Sequence, residues 1–309
     1  MDRRGTLLRL ASSPRDAFRR AWSSRRPYQT VCWVIGLALM LSGLYHLGVF
    51  LVDGGAWKGP VSWRKPVTFG LSFGLTAVTI AWIAGLLRYR RYVAVGALAV
   101  AVGSLVEVLL VTMQRWRGVP SHFNDASPFD AGVFALMGVT VAVIAAGIIV
   151  VTVAAFRQFD ASPAMVVAVR VGLVVLIAAQ ALGGAIIANG IGIDRPPADT
   201  DLAIFGAAGV MKLPHAVTMH AIQVLPLLAL MLGGTALSAR RQRNLIWFAS
   251  AGYLGLTVAT GLQTFQGRAP FDLTPAAGAL LLLSAAALAV ATLGLVAGSF
   301  AGKPQDSTV

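Results

Sequence analysis

The groups whose types and placing could do chemistry are few: His46, His122, His215, His220 and Glu107, the only glutamate. Glu107 lies within an apolar run from Ser104 to Leu110. A carboxylate at that depth is expensive in hydrocarbon, so it is expected either to handle a proton or to bond a neighbouring helix through Gln180, Asn189 or Gln223. His46 lies six residues before the end of one apolar run, and His220 six residues after Pro214 at the start of another. At ~1.5 Å per residue both sit ~9 Å below the same boundary. Equal depth on two helices suits opposed axial ligation of haem iron, which makes His46 and His220 the candidate metal ligands. Ordinary buried hydrogen bonding is the alternative. His215 shares a helix with His220 and is turned from it by about 140°, so those two cannot clamp one haem.

Two loops are dense in special residues. Gly59-Pro60-Val61-Ser62-Trp63-Arg64-Lys65-Pro66 and Arg115-Trp116-Arg117-Gly118-Val119-Pro120-Ser121-His122-Phe123-Asn124 carry four cations between them, with Lys58 just before the first. Arg64, Lys65 and Arg117 are read as an anion clamp for a lipid phosphate, a haem propionate or a small carboxylate. Trp57 and Trp63 also suit anchoring at the headgroup level. Glu107 and His122 are the catalytic candidates, with His215 and Gln223 beside the pocket. Ser121 next to His122 suggests a nucleophile and base, but adjacent residues rarely share that geometry, so hydrolysis is discounted. No phosphate loop, dinucleotide fingerprint, zinc spacing or His-Glu-x-x-His motif occurs.

The elements that must position these groups are membrane spans. Of the 309 residues, 57% are hydrophobic and 12% charged, which excludes ordinary soluble domains. Apolar runs long enough to cross ~30 Å of hydrocarbon recur throughout. Eight are expected, near 30–52, 67–87, 92–114, 131–156, 164–189, 214–237, 245–265 and 275–299. The net charge of +13 reads as positive-inside bias rather than a nucleic-acid surface. With both termini cytoplasmic, seventeen of the Lys and Arg residues fall inside and eight outside, counting Arg170 as snorkelling inward. Residues 1–29 form a basic leader in which Ser13, Pro14 and Asp16 resemble a helix start. Phe18 and Trp22 would lie on an anionic leaflet. Nothing in it resembles a cleavage site, so the first span is expected to be retained. Cys32 alone excludes an intrachain disulfide.

The chain also repeats itself. Lys65 and Lys212 open the second and sixth spans, Gln114 and Gln263 close the third and seventh, and Pro-Phe-Asp at 128–130 and 270–272 precedes the fourth and eighth. A duplicated unit of four spans gives halves that point the same way, about an axis along the membrane normal. Glycines at 70, 74, 172, 183, 184, 233, 234, 252 and 255 are expected to serve close helix packing.

The motifs Ser62-Trp63-Arg64-Lys65-Pro66, Arg117-Gly118-Val119-Pro120-Ser121-His122-Phe123-Asn124 and His215 to Pro226 resemble those of a bacterial family of multi-pass membrane proteins. The resemblance covers residues 60–230 and brings no activity with it. In architecture the chain is similar to haem A synthase, with eight spans, two parallel halves, histidines near one face and a Gly183-Gly184-Ala185 stretch. That enzyme's Glu–His and His–Arg signatures are missing. The similarity therefore implies haem as a cofactor and not synthase activity.

The sequence thus predicts an all-α integral membrane protein of the bacterial inner membrane. Its eight transmembrane helices form two parallel four-helix halves, 30–156 and 164–299, with a leader at 1–29 and a cytoplasmic tail at 300–309. A polar pocket is expected at the extracytoplasmic side, for haem or redox chemistry. The alternatives are a transporter or lipid-handling protein in which Glu107 titrates, and a non-catalytic subunit of a membrane complex. The expected partners are the bilayer and an anionic lipid or small molecule.

Overall fold

The computed structural model describes residues 25–157, 159–191 and 203–300. The expected leader helix, most of the C-terminal tail and Arg195 lie outside the described residues. The elements are α1 (Pro27–Asp53), α2 (Arg64–Leu86), α3 (Arg91–Trp116), α4 (Pro128–Arg157), α5 (Pro163–Gly190), a hairpin of β1 (Ile204–Phe205) and β2 (Gly209–Val210), α6 (Lys212–Met219), α7 (Ala221–Gly233), α8 (Ala239–Phe265) and α9 (Pro275–Phe300). With α6 and α7 counted together as one span, eight helices are long and apolar enough to cross a membrane. The chain is a polytopic membrane protein.

Local chemistry explains the helix starts. Ser127-Pro128, Ser162-Pro163 and Thr274-Pro275 each put a hydroxyl at the N-cap and a proline at the first turn. The hydroxyls accept from the backbone N–H three residues on, at 3.1 Å from Asp130, 3.3 Å from Met165 and 3.2 Å from Ala277. Proline costs nothing there, because the first-turn N–H has no helical partner. At the other end of α4, Arg170 reaches from α5 to donate to the carbonyls of Ala155 and Phe156. Those carbonyls lack helical donors, and the guanidinium supplies them.

Neighbouring helices pack in a recurring order. In the first set α1 pairs with α2, α2 with α3, α3 with α4, and α1 also crosses α3. In the second, α5 pairs with α6 and α7, these with α8, α8 with α9, and α5 also crosses α8. The sets meet where α4 packs on α5 and α2 touches α7. The α1–α2 crossing is the tightest kind: a Cβ on Gly74 would lie 2.5 Å from the Gly36 carbonyl oxygen. Only glycine permits backbone contact that close.

The sixth span departs from the single helix expected over 214–237. It breaks at His220, whose φ of −84° and ψ of −3° belong to a turn, and it ends at Gly233. Pro226 just beyond has no N–H to give the Ile222 carbonyl, so this helix cannot complete its ladder. The hairpin was not anticipated either. It ties α5 to α8, with Asn189 donating to the Ile204 carbonyl at 3.1 Å and Ala208 N–H donating to the Gly267 carbonyl at 2.9 Å.

The loops 54–63, 117–127, 203–211 and 266–274 emerge at one end of the bundle, called here the loop-rich face. All four histidines and the polar clusters described below lie at or toward that end.

Candidate functional site

His46 is 4% exposed and enclosed by Tyr45, Trp63 and Trp116. Trp116 Nε1 can only donate, and it does so to His46 Nε2 at 3.0 Å. The other ring nitrogen, Nδ1, therefore carries the proton and donates to the Ser42 carbonyl at 2.7 Å. Both ring nitrogens are engaged, which leaves no lone pair for an axial bond. The expected pairing of His46 with His220 across an iron does not fit this geometry. His220 is not among the rings around His46, and the described residues hold no group of three or more His, Cys, Asp or Glu side chains arranged for a metal.

His215 and Gln223 are likewise committed to packing rather than to a pocket rim. His215 Nδ1 donates to the Ala179 carbonyl of α5 at 2.8 Å. Gly183 makes the room, since a Cβ there would sit 3.1 Å from His215 Cε1. In the orientation that satisfies its amide, Gln223 donates to the carbonyls of His220 and Met219, one turn back on its own span.

Glu107 is 1% exposed and faces α4, where Thr140 Oγ1 lies 2.7 Å from its Oε2. The same hydroxyl is 2.8 Å from the Met137 carbonyl oxygen. The expected partners Gln180, Asn189 and Gln223 are replaced by Thr140, because Glu107 points into the α3–α4 interface and not toward the second set of helices.

Arg117, expected to clamp an external anion, is held by Asp130 and Gln114. Its Nη1 donates to Asp130 Oδ1 and to Gln114 Oε1, Gln114 Nε2 donates to Asp130 Oδ1 at 2.9 Å, and Ser127 Oγ donates to Oδ2 at 2.7 Å. This clasp shapes the loop that follows α3.

That loop carries the cluster the sequence reading discounted. Ser121, 2% exposed, lies 2.9 Å from His122 Nδ1 through its Oγ. Lys65 Nζ donates to the same Oγ at 3.2 Å from the start of α2. The serine hydroxyl, accepting from the lysine, keeps its own proton to give to Nδ1, and in that tautomer the histidine proton sits on Nε2. The turn continues through Phe123 at φ 55°, the only non-glycine in the left-handed region among the described residues. Asn124 steadies the turn, donating to the Pro120 carbonyl at 2.9 Å and accepting from Ala126 N–H. Left-handed backbone costs a phenylalanine ~1–2 kcal/mol, and such strain collects at functional sites. The Phe123 ring fills the space above Gly190, where a Cβ would meet its Cζ at 2.5 Å. The loop of the first helix set is thereby seated on the end of α5.

Phe69, Phe123 and Phe134 surround the His122 ring at centroid distances of 5.8, 6.4 and 6.1 Å. Burial among them pushes His122 down from 6.5 to about 3, helped by the positive charges of Lys65 and Lys212. Lys212 belongs to α6, so the cluster draws on both helix sets. The sequence signal for it was its place opposite Lys65 in the repeat, although no chemistry had been assigned to it.

A histidine of such low basicity cannot take a proton from Ser121 near neutrality, where a general base needs a pKa near the working pH. As a neutral ring it can donate from Nε2, and the lysines supply positive potential. The arrangement is suited to holding an anion and poorly suited to nucleophilic catalysis. No family model, curated protein or solved structure matches the chain.

Proposed function

We propose that this polytopic membrane protein binds a small anionic solute at its loop-rich face, in the seam where the α3–α4 loop meets the second helix set. The observation that carries the reading is the Lys65 ammonium donating to Ser121 beside the half-buried neutral His122, with Lys212 of a different span acting on the same ring through its charge. Two parallel four-helix halves are part of the reading. Their support is the recurring order of helix neighbours and a Gln–Arg–Asp clasp in each: Gln114, Arg117 and Asp130 in one, Gln263, Arg268 and Asp272 in the other. The excess of arginine at the opposite end supports an extracytoplasmic placement of the site in the inner membrane.

Acid linkage makes the reading testable. An unfolded histidine takes up a proton near pH 6.5 and the folded His122 only near 3, so stability falls as the pH drops through that window. An anion beside the ring favours the imidazolium, raises the folded pKa and binds more tightly as the pH falls. Nitrogen-15 spectra of histidine-labelled protein, titrated with phosphate and acetate between pH 7 and 4, should show a His122 ring that responds to anion. The affinity should drop about tenfold, ~1.4 kcal/mol, in Lys65→Gln. A His122 signal indifferent to both anions across that range would sink the reading.

A further inference from the structure

A second cationic cluster lies on the lipid-facing side of the same end. Arg115 at the end of α3 stacks over the Trp63 ring, its Cζ 3.8 Å from the centroid. Arg64 follows Trp63 directly as the first residue of α2. Neither guanidinium bonds a carboxylate or a carbonyl among the described residues, whereas Arg117 and Arg268 each hold an aspartate. The Nε atoms of Arg64 and Arg115 are buried without a hydrogen-bond partner, and so is Ser62 Oγ, in a residue that is 0% exposed. Three unpartnered donors, two on the residues that flank Trp63 and one on the arginine stacked over its ring, mark a place built for an acceptor. Above them runs Gly55 at φ +100°, where a Cβ would lie 3.3 Å from Trp63 Nε1 and 3.7 Å from Arg115 Nη2. The loop thus passes close over the cluster with no side chain of its own.

The surroundings say which acceptor. Trp116 beside the cluster is 55% exposed, and the adjoining face of α1 presents Leu41, Leu44 and Tyr45 outward. Exposed indole and aliphatic surface on a membrane-spanning helix belongs to the lipid, with Trp at headgroup level. Guanidinium forks match phosphate oxygens two at a time.

We infer that Arg64, Arg115 and Ser62 form a binding site for the phosphate of an anionic phospholipid, whose acyl chain lies along the outer turns of α1. The site is separate from the Lys65–Ser121–His122 seam, so either can fail without the other.

The test is native mass spectrometry of the full-length protein released from detergent with phosphatidylglycerol or phosphatidylcholine. The wild type should retain phosphatidylglycerol at least about tenfold more tightly. Arg64→Gln with Arg115→Gln should abolish that preference, while Lys65→Gln should leave it intact. If the double variant does not fold, single Arg115→Gln should still reduce the preference severalfold. A preference that survives the arginine substitutions overturns the site. Displacement of the lipid by millimolar inorganic phosphate, with no role for the acyl chain, overturns the lipid assignment in favour of a free anion. Loss of the preference in Lys65→Gln instead would show that the lipid sits in the seam.

Discussion

Between α3 and α4, Gln114 is fully buried and donates to an Asp130 that is 5% exposed. Between α8 and α9, Gln263 is as deeply buried, but it donates to the backbone carbonyls of Ala269 and Asp272, and the Asp272 side chain is 57% exposed. The same residue types therefore close two turns, one around a buried carboxylate and one around backbone with the ion pair left in water. Phe129 and Phe271 follow the same division, since the first lies under Arg117 while the second is 96% exposed. A turn locked by a buried carboxylate can hold a strained loop such as 120–124 in one geometry. A turn held by carbonyls closes the helices and does no more. In the function proposed above, the turn locked by Asp130 belongs to the unit that holds the site.

The helix crossings show the contrast again, and a substitution there should have the largest effect. Gly74→Leu would drive side-chain atoms into the Gly36 carbonyl and Met40. Overpacking usually costs ~1–3 kcal/mol, and here the obstacle is backbone that cannot yield. Loss of the monodisperse peak in detergent chromatography is expected. Gly233 in α7 has nothing within 4 Å of its missing Cβ, so Gly233→Leu should elute as wild type. Equal behaviour of the two variants would remove the packing distinction.

The next effect separates the two clasps. Asp130→Ala strands Gln114 and Arg117 and should lower the thermal midpoint by roughly 5 °C or more. Asp272→Ala removes a surface ion pair between neighbouring turns, where the expected loss is within about 1 kcal/mol. Thermal scans of the two variants in one detergent decide it, and a larger drop for Asp272→Ala would reverse the assignment of the locked turn.

The smallest effect is expected at Glu107. Its carboxyl bonds Thr140 within the first helix set, and a glutamine amide can donate to that hydroxyl in its place. Glu107→Gln should change stability by less than about 1 kcal/mol and leave anion binding at His122 unchanged. Loss of anion binding in that variant would bring Glu107 into the site and restore a titrating role for it.

Much of the fold was legible in the chain because hydrocarbon imposes a simple rule. Apolar stretches must be helical and about 20 residues long, so the eight spans could be placed from hydropathy. Gln114 with Gln263, and Asp130 with Asp272, were visible as repeated motifs because the turns they close recur. What the sequence could not supply was the direction of each side chain around its helix and across the bundle. Equal depth placed His46 and His220 at one level, yet depth carries no azimuth, and His46 turned toward Trp63 and Trp116. Arg117 was recognisable as a cation, but its pairing with Asp130 depended on a turn that brings residues 117 and 130 together. Ser121 and His122 were adjacent in the chain, and only the folded loop, with Lys65 reaching the hydroxyl from α2, shows that their side chains meet. That the charges of Lys65 and Lys212 both bear on one ring was decided by the packing of one helix set against the other, a relation between distant segments that no local pattern encodes.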